Sequence, residues 1–349
     1  MITQTRLKKV LFFLLTLTAC TQVNENPLTV KYEMQSIPSK ASIRAMDVVS
    51  DEVVWLGGTG GTVVYTTDAG EVWHVKQISG AESMDFRDIV AFSDKEAMVV
   101  SAGSPARIYK TEDGGENWTL LYENNAKEIF LNGMEFWNPQ AGIAFGDPID
   151  GKLFVLRTED GGVHWDTLQN RPRTMTKEAG FAASGSSMVV AGDSTVWIGL
   201  GGPKSRVFKS VNRGLTWDVR VTPMLSGTDG PKGIYGMHFM DEQKGFAVGG
   251  NYTDSTENTF SYIYTEDGGN SWQNLGREST SGYKSSIKAV PNSKVIVAVS
   301  RYGTDISMDR GKHWKKLDKA PFYVHEFVPS GKFGWAAGAH GRIAKLKLQ

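Results

Sequence analysis

The sequence predicts an all-β protein, a seven-bladed β-propeller of four-stranded antiparallel blades. Three observations predict this fold. An eight-residue pattern, Ser/Thr-x-Asp-x-Gly-x-x-Trp, occurs six times, with Asn in place of Asp in one copy. The Asp or Asn positions are 45, 47, 52, 55 and 42 residues apart, which is the size of a propeller blade. Short apolar strands flank every copy, and four strands per unit make one blade.

Each octapeptide contains the residues of a tight turn. Its Asp or Asn side chain can accept hydrogen bonds from the N–H groups that follow, and its Gly permits the positive φ angle that a hairpin needs. The closing Trp can bury a large ring against a neighbouring strand. Because the same position is filled in every repeat, we interpret these side chains as structural. They are Asp68, Asp113, Asp160, Asn212, Asp267 and Asp309.

The flanking strands follow a fixed order within each repeat. In the first repeat, residues 42–49 give an inner strand, residues 53–58 a second strand that runs into Gly, and residues 62–67 a third strand that enters the octapeptide. A fourth strand follows the Trp. On this order the predicted blades begin near residues 42, 84, 129, 178, 233, 284 and 322.

The last repeat is incomplete. Residues 322–348 supply three strands and no seventh octapeptide, while residues 28–37 precede the first repeat and have no blade of their own. We therefore expect the N-terminal segment to supply the outer strand of the seventh blade. That pairing removes an exposed sheet edge, which is a liability in any β protein. The predicted propeller domain spans residues 28–349.

The first 19 residues have the features of a bacterial export signal. Arg6, Lys8 and Lys9 precede an apolar stretch, residues 10–17, that is too short to span a bilayer. The stretch ends in Leu-Thr-Ala-Cys, which is similar to a lipobox. We predict a lipoprotein signal peptide over residues 1–19.

Cys20 stands where the lipid would be attached, and residues 20–27 are polar and are interpreted as a lipid-anchored tether. Cys20 is the only cysteine, so no disulfide and no thiol chemistry is expected in the propeller. The predicted location is the bacterial cell envelope, on the periplasmic face or the outer-membrane surface. The lipid would be the only contact with the membrane.

Composition excludes several classes of function. Without residues 1–19 the chain has 35 basic and 38 acidic side chains, so no basic surface for nucleic acid is expected. The six histidines show no metal-ligand spacing, and no metal site is predicted. The Gly-rich run at 57–61 is followed by no helix, and a phosphate cradle needs one. No cofactor is expected, and the chain is expected to be a monomer.

The octapeptides and their flanks resemble Asp-box propellers, also called bacterial neuraminidase repeats, from about residue 28 onward. The nearest resemblance is to the family of photosystem II assembly and stability factors, whose repeat begins in the way that residues 334–346 (GWAAGAHGRIAKL) do. That family is non-catalytic and binds assembling protein complexes. The resemblance implies a propeller that binds a protein partner or a glycan at the envelope.

The chain also resembles the sialidases, more distantly. That family shares the octapeptide and needs an arginine triad, a Tyr/Glu pair and an acidic Asp. Arg44 matches the first arginine of the triad, but Met46 stands where the family has Pro. No second and third arginine can be placed, so the resemblance does not imply sialidase activity.

The resemblance places the first strand of each blade around a central channel, with the links between blades at one end of it. This placement nominates ligand-binding candidates around the channel. Cationic groups there would favour an anionic or polyhydroxylated ligand, unless they pair with Asp47, Asp88 and Glu326 and only fill the channel. The candidates are Arg44, Arg87, Asn132, Tyr235, Lys284 and Arg206.

The alternative function is a secreted carbohydrate-active enzyme. A glycoside hydrolase needs two carboxylates on either side of a bound sugar, and Asp147 and Glu178 are the best candidate pair. A polysaccharide lyase would use a Tyr or His base beside a cation, for which Tyr283 and His325 are candidates. Because no convincing acid–base pair is present, the sequence favours a non-catalytic binding protein.

Overall fold

The computed structural model describes residues 29–255, 257, 259–275 and 280–348. These residues form seven four-stranded antiparallel sheets, so the predicted seven-bladed propeller is confirmed. None of the described residues forms a helix long and apolar enough to cross a bilayer. The predicted signal peptide, Cys20 and the tether lie outside the described residues.

The first three blades each use four consecutive strands. Blade 1 consists of β2 (Ile43–Val48), β3 (Val54–Gly58), β4 (Thr62–Thr66) and β5 (His74–Gln77). Blade 2 consists of β6 (Asp85–Ala91), β7 (Ala97–Ala102), β8 (Ala106–Thr111) and β9 (Thr119–Asn124). Blade 3 consists of β10 (Leu131–Phe136), β11 (Gly142–Ile149), β12 (Lys152–Thr158) and β13 (Asp166–Thr167).

The next three blades have the same order. Blade 4 consists of β14 (Met188–Ala191), β15 (Thr195–Leu200), β16 (Arg206–Ser210) and β17 (Asp218–Val221). Blade 5 consists of β18 (Lys232–Phe239), β19 (Gly245–Asn251), β20 (Tyr262–Thr265) and β21 (Gln273–Asn274). Blade 6 consists of β22 (Ser286–Ala289), β23 (Ile296–Ser300), β24 (Gly303–Ser307) and β25 (Lys315–Asp318).

Blade 7 joins the two ends of the described chain. Its three inner strands are β26 (Val324–Phe327), β27 (Gly334–Ala337) and β28 (Ile343–Leu348), and its outer strand is β1 (Val30–Gln35). β1 pairs antiparallel with β28 over six residues, from Val30 opposite Leu348 to Gln35 opposite Ile343. The predicted closure of the ring by the N-terminal strand is therefore confirmed.

The octapeptide turns share one hydrogen-bond pattern. In the first, Asp68 Oδ1 accepts from the Thr66 hydroxyl at 2.8 Å and from the Val72 N–H at 2.9 Å, while the Thr66 hydroxyl oxygen accepts from the Gly70 N–H at 3.0 Å. In the fourth, Asn212 Oδ1 accepts the corresponding backbone bond from Thr216 at 2.8 Å. These side chains satisfy the backbone of their own turns, which is a structural role.

The aromatic rings of each octapeptide pack against the preceding blade. Trp73 of blade 1 contacts the fully buried Trp335 of blade 7 edge-on, at 5.0 Å between ring centroids. Trp118 of blade 2 contacts Trp55 of blade 1, and Trp314 of blade 6 contacts Tyr262 of blade 5. Edge-to-face packing of this kind adds to the free energy gained from burial, so these rings hold neighbouring blades together.

The two ends of the propeller differ in which loops they carry. The turn face carries the octapeptides and the loops between first and second strands, and these are hydrogen-bonded to each other: the Gly114 N–H donates to the Lys95 carbonyl at 2.9 Å. The mouth face carries the loops between second and third strands and the links between blades. There the Gly61 N–H donates to the Met84 carbonyl at 2.9 Å.

Blade 4 begins later than the sequence predicts. The predicted start was near residue 178, whereas β14 begins at Met188. Residues 180–183 instead line the mouth of the channel, next to an isolated bridge between Ala179 and Gly201. The other six blades begin within two residues of the predicted positions.

Candidate functional site

Four of the nominated residues occupy one structural position. Arg44, Arg87, Asn132 and Tyr235 lie in the first strands of blades 1, 2, 3 and 5, and each is skipped in the pairing register with the second strand. A β-bulge of this kind re-aims a side chain and leaves it out of the ladder. The bulges thereby direct these side chains to the mouth-face end of the channel.

A cavity of about 300 Å³ opens at this end of the channel. It brings together residues from blades 1, 2, 3 and 5 and from the links between blades. Its lining residues are Arg44, Arg87, Phe130, Asp147, Gly180, Phe181, Ala182, Ala183, Pro231, Tyr235, Tyr252 and Tyr283. We call this space the mouth cavity.

The two arginines of the mouth cavity are held differently. Arg87 donates from Nε to Asp85 at 2.6 Å and from Nη1 to the Ala182 carbonyl at 2.7 Å. The Arg44 guanidinium lies 4.0 Å over the ring of Tyr323, and Arg44 forms no ion pair with any described residue. Neither arginine pairs with Asp47, Asp88 or Glu326, so these two side chains do not follow the alternative in which the nominated cations pair with those acids.

Four aromatic rings form a continuous wall of the cavity. Phe181 stacks on Tyr235 with 4.1 Å between ring centroids. Tyr283 packs edge-to-face with Tyr235 and with Tyr252, at centroid distances of 4.8 and 5.6 Å. Arg301 supports the wall from behind, donating to the Tyr252 hydroxyl at 2.8 Å. A packed wall of this kind offers a rigid apolar surface with hydroxyl groups at its edge.

Asp147 is the one carboxylate among the described residues that line the mouth cavity. Its Oδ1 accepts from the Asn132 side-chain amide and from the Gly180 N–H, both at 2.9 Å. Burial raises the pKa of this carboxyl above its usual value. Asp147 and Asn132 therefore hold the link before blade 4 in place across the channel.

Glu178 does not face the cavity. Its side chain is fully buried and receives a bidentate pair of hydrogen bonds from Arg206, the Nε–Oε1 bond being 2.7 Å long. The Met175 N–H donates to the same carboxylate at 2.8 Å. The interpretation of Glu178 as the catalytic partner of Asp147 is not supported, because its oxygens are already used. Arg206 is occupied by the same pair and is not a free ligand-binding cation.

His325 and Lys284 are also held inside the blades. His325 is fully buried, its Nδ1 is 3.0 Å from the Ser286 hydroxyl, and burial lowers its pKa to about 3. Lys284 is 1% exposed and pairs with Asp305 at 3.2 Å. Tyr283 reaches the mouth cavity without either of them. The proposed lyase constellation of Tyr283 and His325 is therefore not assembled.

Deeper in the channel, four carboxylates surround one lysine in a space of about 80 Å³. Lys288 pairs with Glu326, while burial raises the pKa of Asp47 to about 6 and of Asp88 to about 7. Burial and its acidic neighbours raise the pKa of Glu135 well above its usual value. No group of three or more His, Cys, Asp or Glu among the described residues is arranged to hold a metal.

Sequence reasoning missed the links that build the cavity. Phe130, Phe181, Ala182, Ala183 and Pro231 lie between blades, where no repeat marks them. One signal was present: the longest octapeptide spacings, 52 and 55 residues, enclose the links before blades 4 and 5. Extra length within a repeat array marks the loops on its binding face.

Comparisons with known proteins give this arrangement a context. The family described as "Photosynthesis system II assembly factor YCF48" matches residues 24–127. A photosystem II assembly lipoprotein Ycf48 of Synechococcus sp. (strain CC9902) is 21% identical over 253 residues, 63% of this chain and 71% of that protein. A photosystem II assembly protein Ycf48 of Synechococcus sp. (strain JA-2-3B'a(2-13)) is 25% identical over 297 residues, 83% of this chain and 80% of that protein.

The chain is a β-propeller that is similar to the photosystem II assembly factors. It spans about half of the chloroplastic photosystem II stability/assembly factor HCF136 of Arabidopsis thaliana, which is 26% identical over 200 residues, 54% of this chain and 47% of that protein. A solved structure titled "YCF48 bound to D1 peptide" shares the fold, with a TM-score of 0.63 and 16% identity, over 90% of this chain and 94% of that one.

These relatives are named for assembly and stability and not for a catalysed reaction. That agrees with the expectation of a non-catalytic protein.

Proposed function

We propose that the chain is an envelope-anchored, non-catalytic propeller lipoprotein that binds a segment of a partner protein in the mouth cavity. The observation that carries the proposal is the make-up of this cavity. Two arginines face a wall of four aromatic rings, and the candidate acid–base groups are either buried elsewhere or used to support the cavity. Such a site can bind and orient a ligand, but it supplies no proton donor and acceptor pair.

Arg44 supplies the charge that a partner would meet first. Its guanidinium forms no ion pair with a described residue and is kept in place by stacking on Tyr323. A guanidinium fixed in this way can give two charge-assisted hydrogen bonds to a carboxylate. We therefore expect the bound segment to present an acidic group at the mouth of the channel.

The aromatic wall supplies the apolar part of the interaction. Tyr235 and Tyr283 are almost fully buried and fixed by their neighbours, so little side-chain entropy is lost when a ligand packs on them. A cavity of about 300 Å³ holds a few side chains and not a folded domain. The expected ligand is therefore a short segment with an acidic and an apolar or aromatic residue.

Two relatives support separate parts of the proposal. A solved structure with the same fold is titled "YCF48 bound to D1 peptide", which supports a peptide as the ligand. One relative, of which the match covers 71%, is named as a lipoprotein, and this supports Cys20 as the site of a lipid anchor. The tether and anchor are tested by the mass of the N-terminal peptide after export.

The partner is tested by photo-crosslinking in cells. A photoreactive amino acid is placed at Tyr252 in the cavity and, as a matched control, at Val211, which is 59% exposed on the turn face. We expect the Tyr252 position to give a specific protein adduct that the Val211 position does not give. A peptide from the crosslinked protein is then titrated against the full chain carrying Cys20→Ser, with and without Arg44→Ala.

The expected result is binding that Arg44→Ala weakens about tenfold, the loss of one charge-assisted contact. Equal binding by both chains would contradict the proposal. A glycan array probed with the same chain covers the alternative ligand: a glycan hit lost with Arg44→Ala, together with no protein adduct, would move the assignment from a protein to a glycan.

A further inference from the structure

The start of the described chain lies on the turn face. In blades 1 to 6 the third strand ends where the octapeptide turn begins, and in blade 7 the third strand is β28, which ends at Leu348. Val30 pairs directly with Leu348, so β1 begins at the same end of the propeller. The Lys345 ammonium, on the same strand, donates to the carbonyl of Ala69 within the first octapeptide turn at 3.1 Å.

The tether therefore joins the turn face and not the mouth face. Ten residue steps separate Cys20 from Val30, so a fully extended tether reaches about 35 Å at most. A lipid on Cys20 would keep the turn face within that distance of the bilayer. The mouth cavity opens at the other end of the ring.

The turn face also carries most of the exposed large hydrophobic side chains. Of the eleven such residues in the described chain, six lie in turn-face loops. They are Val72, Val163, Val211, Leu215, Met240 and Met308, each 39–59% exposed. Single exposed apolar residues are ordinary, but tips repeated on one face can enter the headgroup region of a bilayer together.

One sector of this face, in blades 5 and 6 beside the blade that carries the tether, holds four cations and five acids, Asp241, Glu242, Glu266, Asp267 and Asp309. Four of these acids, all but Glu266, accept hydrogen bonds from backbone N–H or hydroxyl groups. Lys244, Lys294, Arg310 and Lys312 are on turn-face loops there, and none of them forms an ion pair with a described residue. By contrast, the turns of blades 1 and 2 carry mostly acids, such as Glu52, Glu71, Glu112 and Glu116.

A groove of about 260 Å³ in the same sector combines cations with aromatic and apolar side chains. Its floor includes Phe246, Tyr262 and Tyr264, whose rings follow each other at 6.2 and 6.5 Å. Three of the four cations and Met240 line it, together with one acid, Glu266. Cations over aromatic and apolar groups match an anionic headgroup above its glycerol and acyl carbons.

We infer that the turn face is the membrane-proximal face of this propeller, that the sector formed by blades 5 and 6 contacts anionic lipid headgroups, and that the mouth cavity is directed away from the bilayer. The inference rests on the lipid anchor of the proposed function. In this orientation the propeller presents its binding cavity to partners at a distance from the membrane surface.

Fluorescence quenching in vesicles tests this orientation. The full lipidated chain is placed on phosphatidylethanolamine–phosphatidylglycerol vesicles that contain a nitroxide-labelled lipid. Single cysteines for an environment-sensitive fluorophore replace Met308 in the lipid-contacting sector, Val72 in the acidic sector of the same face, and Ser83 on the mouth face. All three residues are exposed, and Cys20 is blocked by its lipid.

We expect quenching at Met308→Cys to be at least twofold stronger than at Ser83→Cys, with Val72→Cys between them. Arg310→Glu with Lys312→Glu should reduce the quenching at Met308→Cys. Equal quenching at Met308→Cys and Ser83→Cys, or stronger quenching at Ser83→Cys, would overturn the inference.

The same preparation separates this inference from the partner site. An N-terminal peptide without a lipid, detected by mass, would overturn the anchor and the orientation together. Peptide binding by the Cys20→Ser chain in solution does not depend on either, so a failure there would remove the partner site and leave the orientation standing.

Discussion

The two faces of this propeller are built in opposite ways. The turn face repeats one set of hydrogen bonds six times, so Thr66–Asp68–Gly70 has a counterpart in every octapeptide. The mouth face repeats only a bulge position, and fills it with Arg, Arg, Asn and Tyr in four different blades. The repeated residues build the ring, whereas the residues that vary at an equivalent position contribute to the proposed binding site.

The largest expected effect tests the repeated face. In Gly70→Ala the new Cβ would lie 2.3 Å from the fully buried ring of Trp335, at a φ of 85° that alanine adopts poorly. We expect the free energy of unfolding to fall by about 4 kcal/mol or more, measured by denaturant titration. Gly80→Ala is the control, since its φ is 78° but no atom lies within 4 Å; it should cost only about 1–2 kcal/mol. Similar losses in both variants would contradict this account of the turn.

The second prediction concerns the buried pair behind the mouth face. Glu178→Gln leaves the Arg206 guanidinium buried without its carboxylate, which should cost about 3 kcal/mol of unfolding free energy. Glu159→Gln is the matched control. Its carboxylate is about half exposed, and its pairs with Arg157 and Arg213 should together be worth about 1 kcal/mol or less. If Glu178→Gln were as mild as its control, the structural role given to this carboxylate would be wrong.

The third prediction concerns binding in the mouth cavity. Tyr283→Ala removes the centre of the aromatic wall and should weaken peptide binding at least tenfold, because buried tyrosines at the centre of an interface contribute most of its energy. Leu120→Ala, at a 42% exposed position on an outer strand, should leave binding unchanged. Isothermal titration measures both, and equal effects would contradict the placement of the site.

The smallest effect is a pH dependence from the middle of the channel. The pKa of Glu135 is raised in the folded protein. The contribution of the protonated Glu135 side chain to the free energy of unfolding is therefore fully present below its unfolded pKa, and it is lost as the pH rises towards the folded pKa. Glu135→Gln removes that loss. The variant should match the parent chain near pH 4 and exceed it by about 1 kcal/mol or more at pH 8. Parallel stability curves at the two pH values would contradict this assignment.

Local chemistry explains how much of the fold was predictable. Asp68, Gly70 and Trp73 act within their own turn and on the preceding blade, so the octapeptide marks its blade without help from the rest of the chain. The closure of the ring followed from simple counting, since three strands at one end and one unassigned segment at the other complete a blade.

The site was predictable mainly where it coincides with the repeat, although Asp147 and Tyr283, nominated for a catalytic role, line the same cavity. Arg44, Arg87 and Tyr235 were found because they stand at one position of the first strand, and the structure gathers them in one cavity. Glu178 and His325 were misplaced because burial and pairing depend on distant residues, Arg206 and Ser286, that no periodicity connects. The link with Phe181 has no repeat at all, and its position depends on the bonds from Asp147 and Arg87.

Hydrogen exchange on the full chain is the most direct measurement of the central claim, that the mouth cavity is the binding site. Exchange is followed with and without the peptide of the crosslinked partner. We expect protection in residues 179–183, 231–235 and 281–284, and no change in the octapeptide turns at 66–73 and 307–314. Protection confined to those turns, with none at the mouth of the channel, would contradict the account.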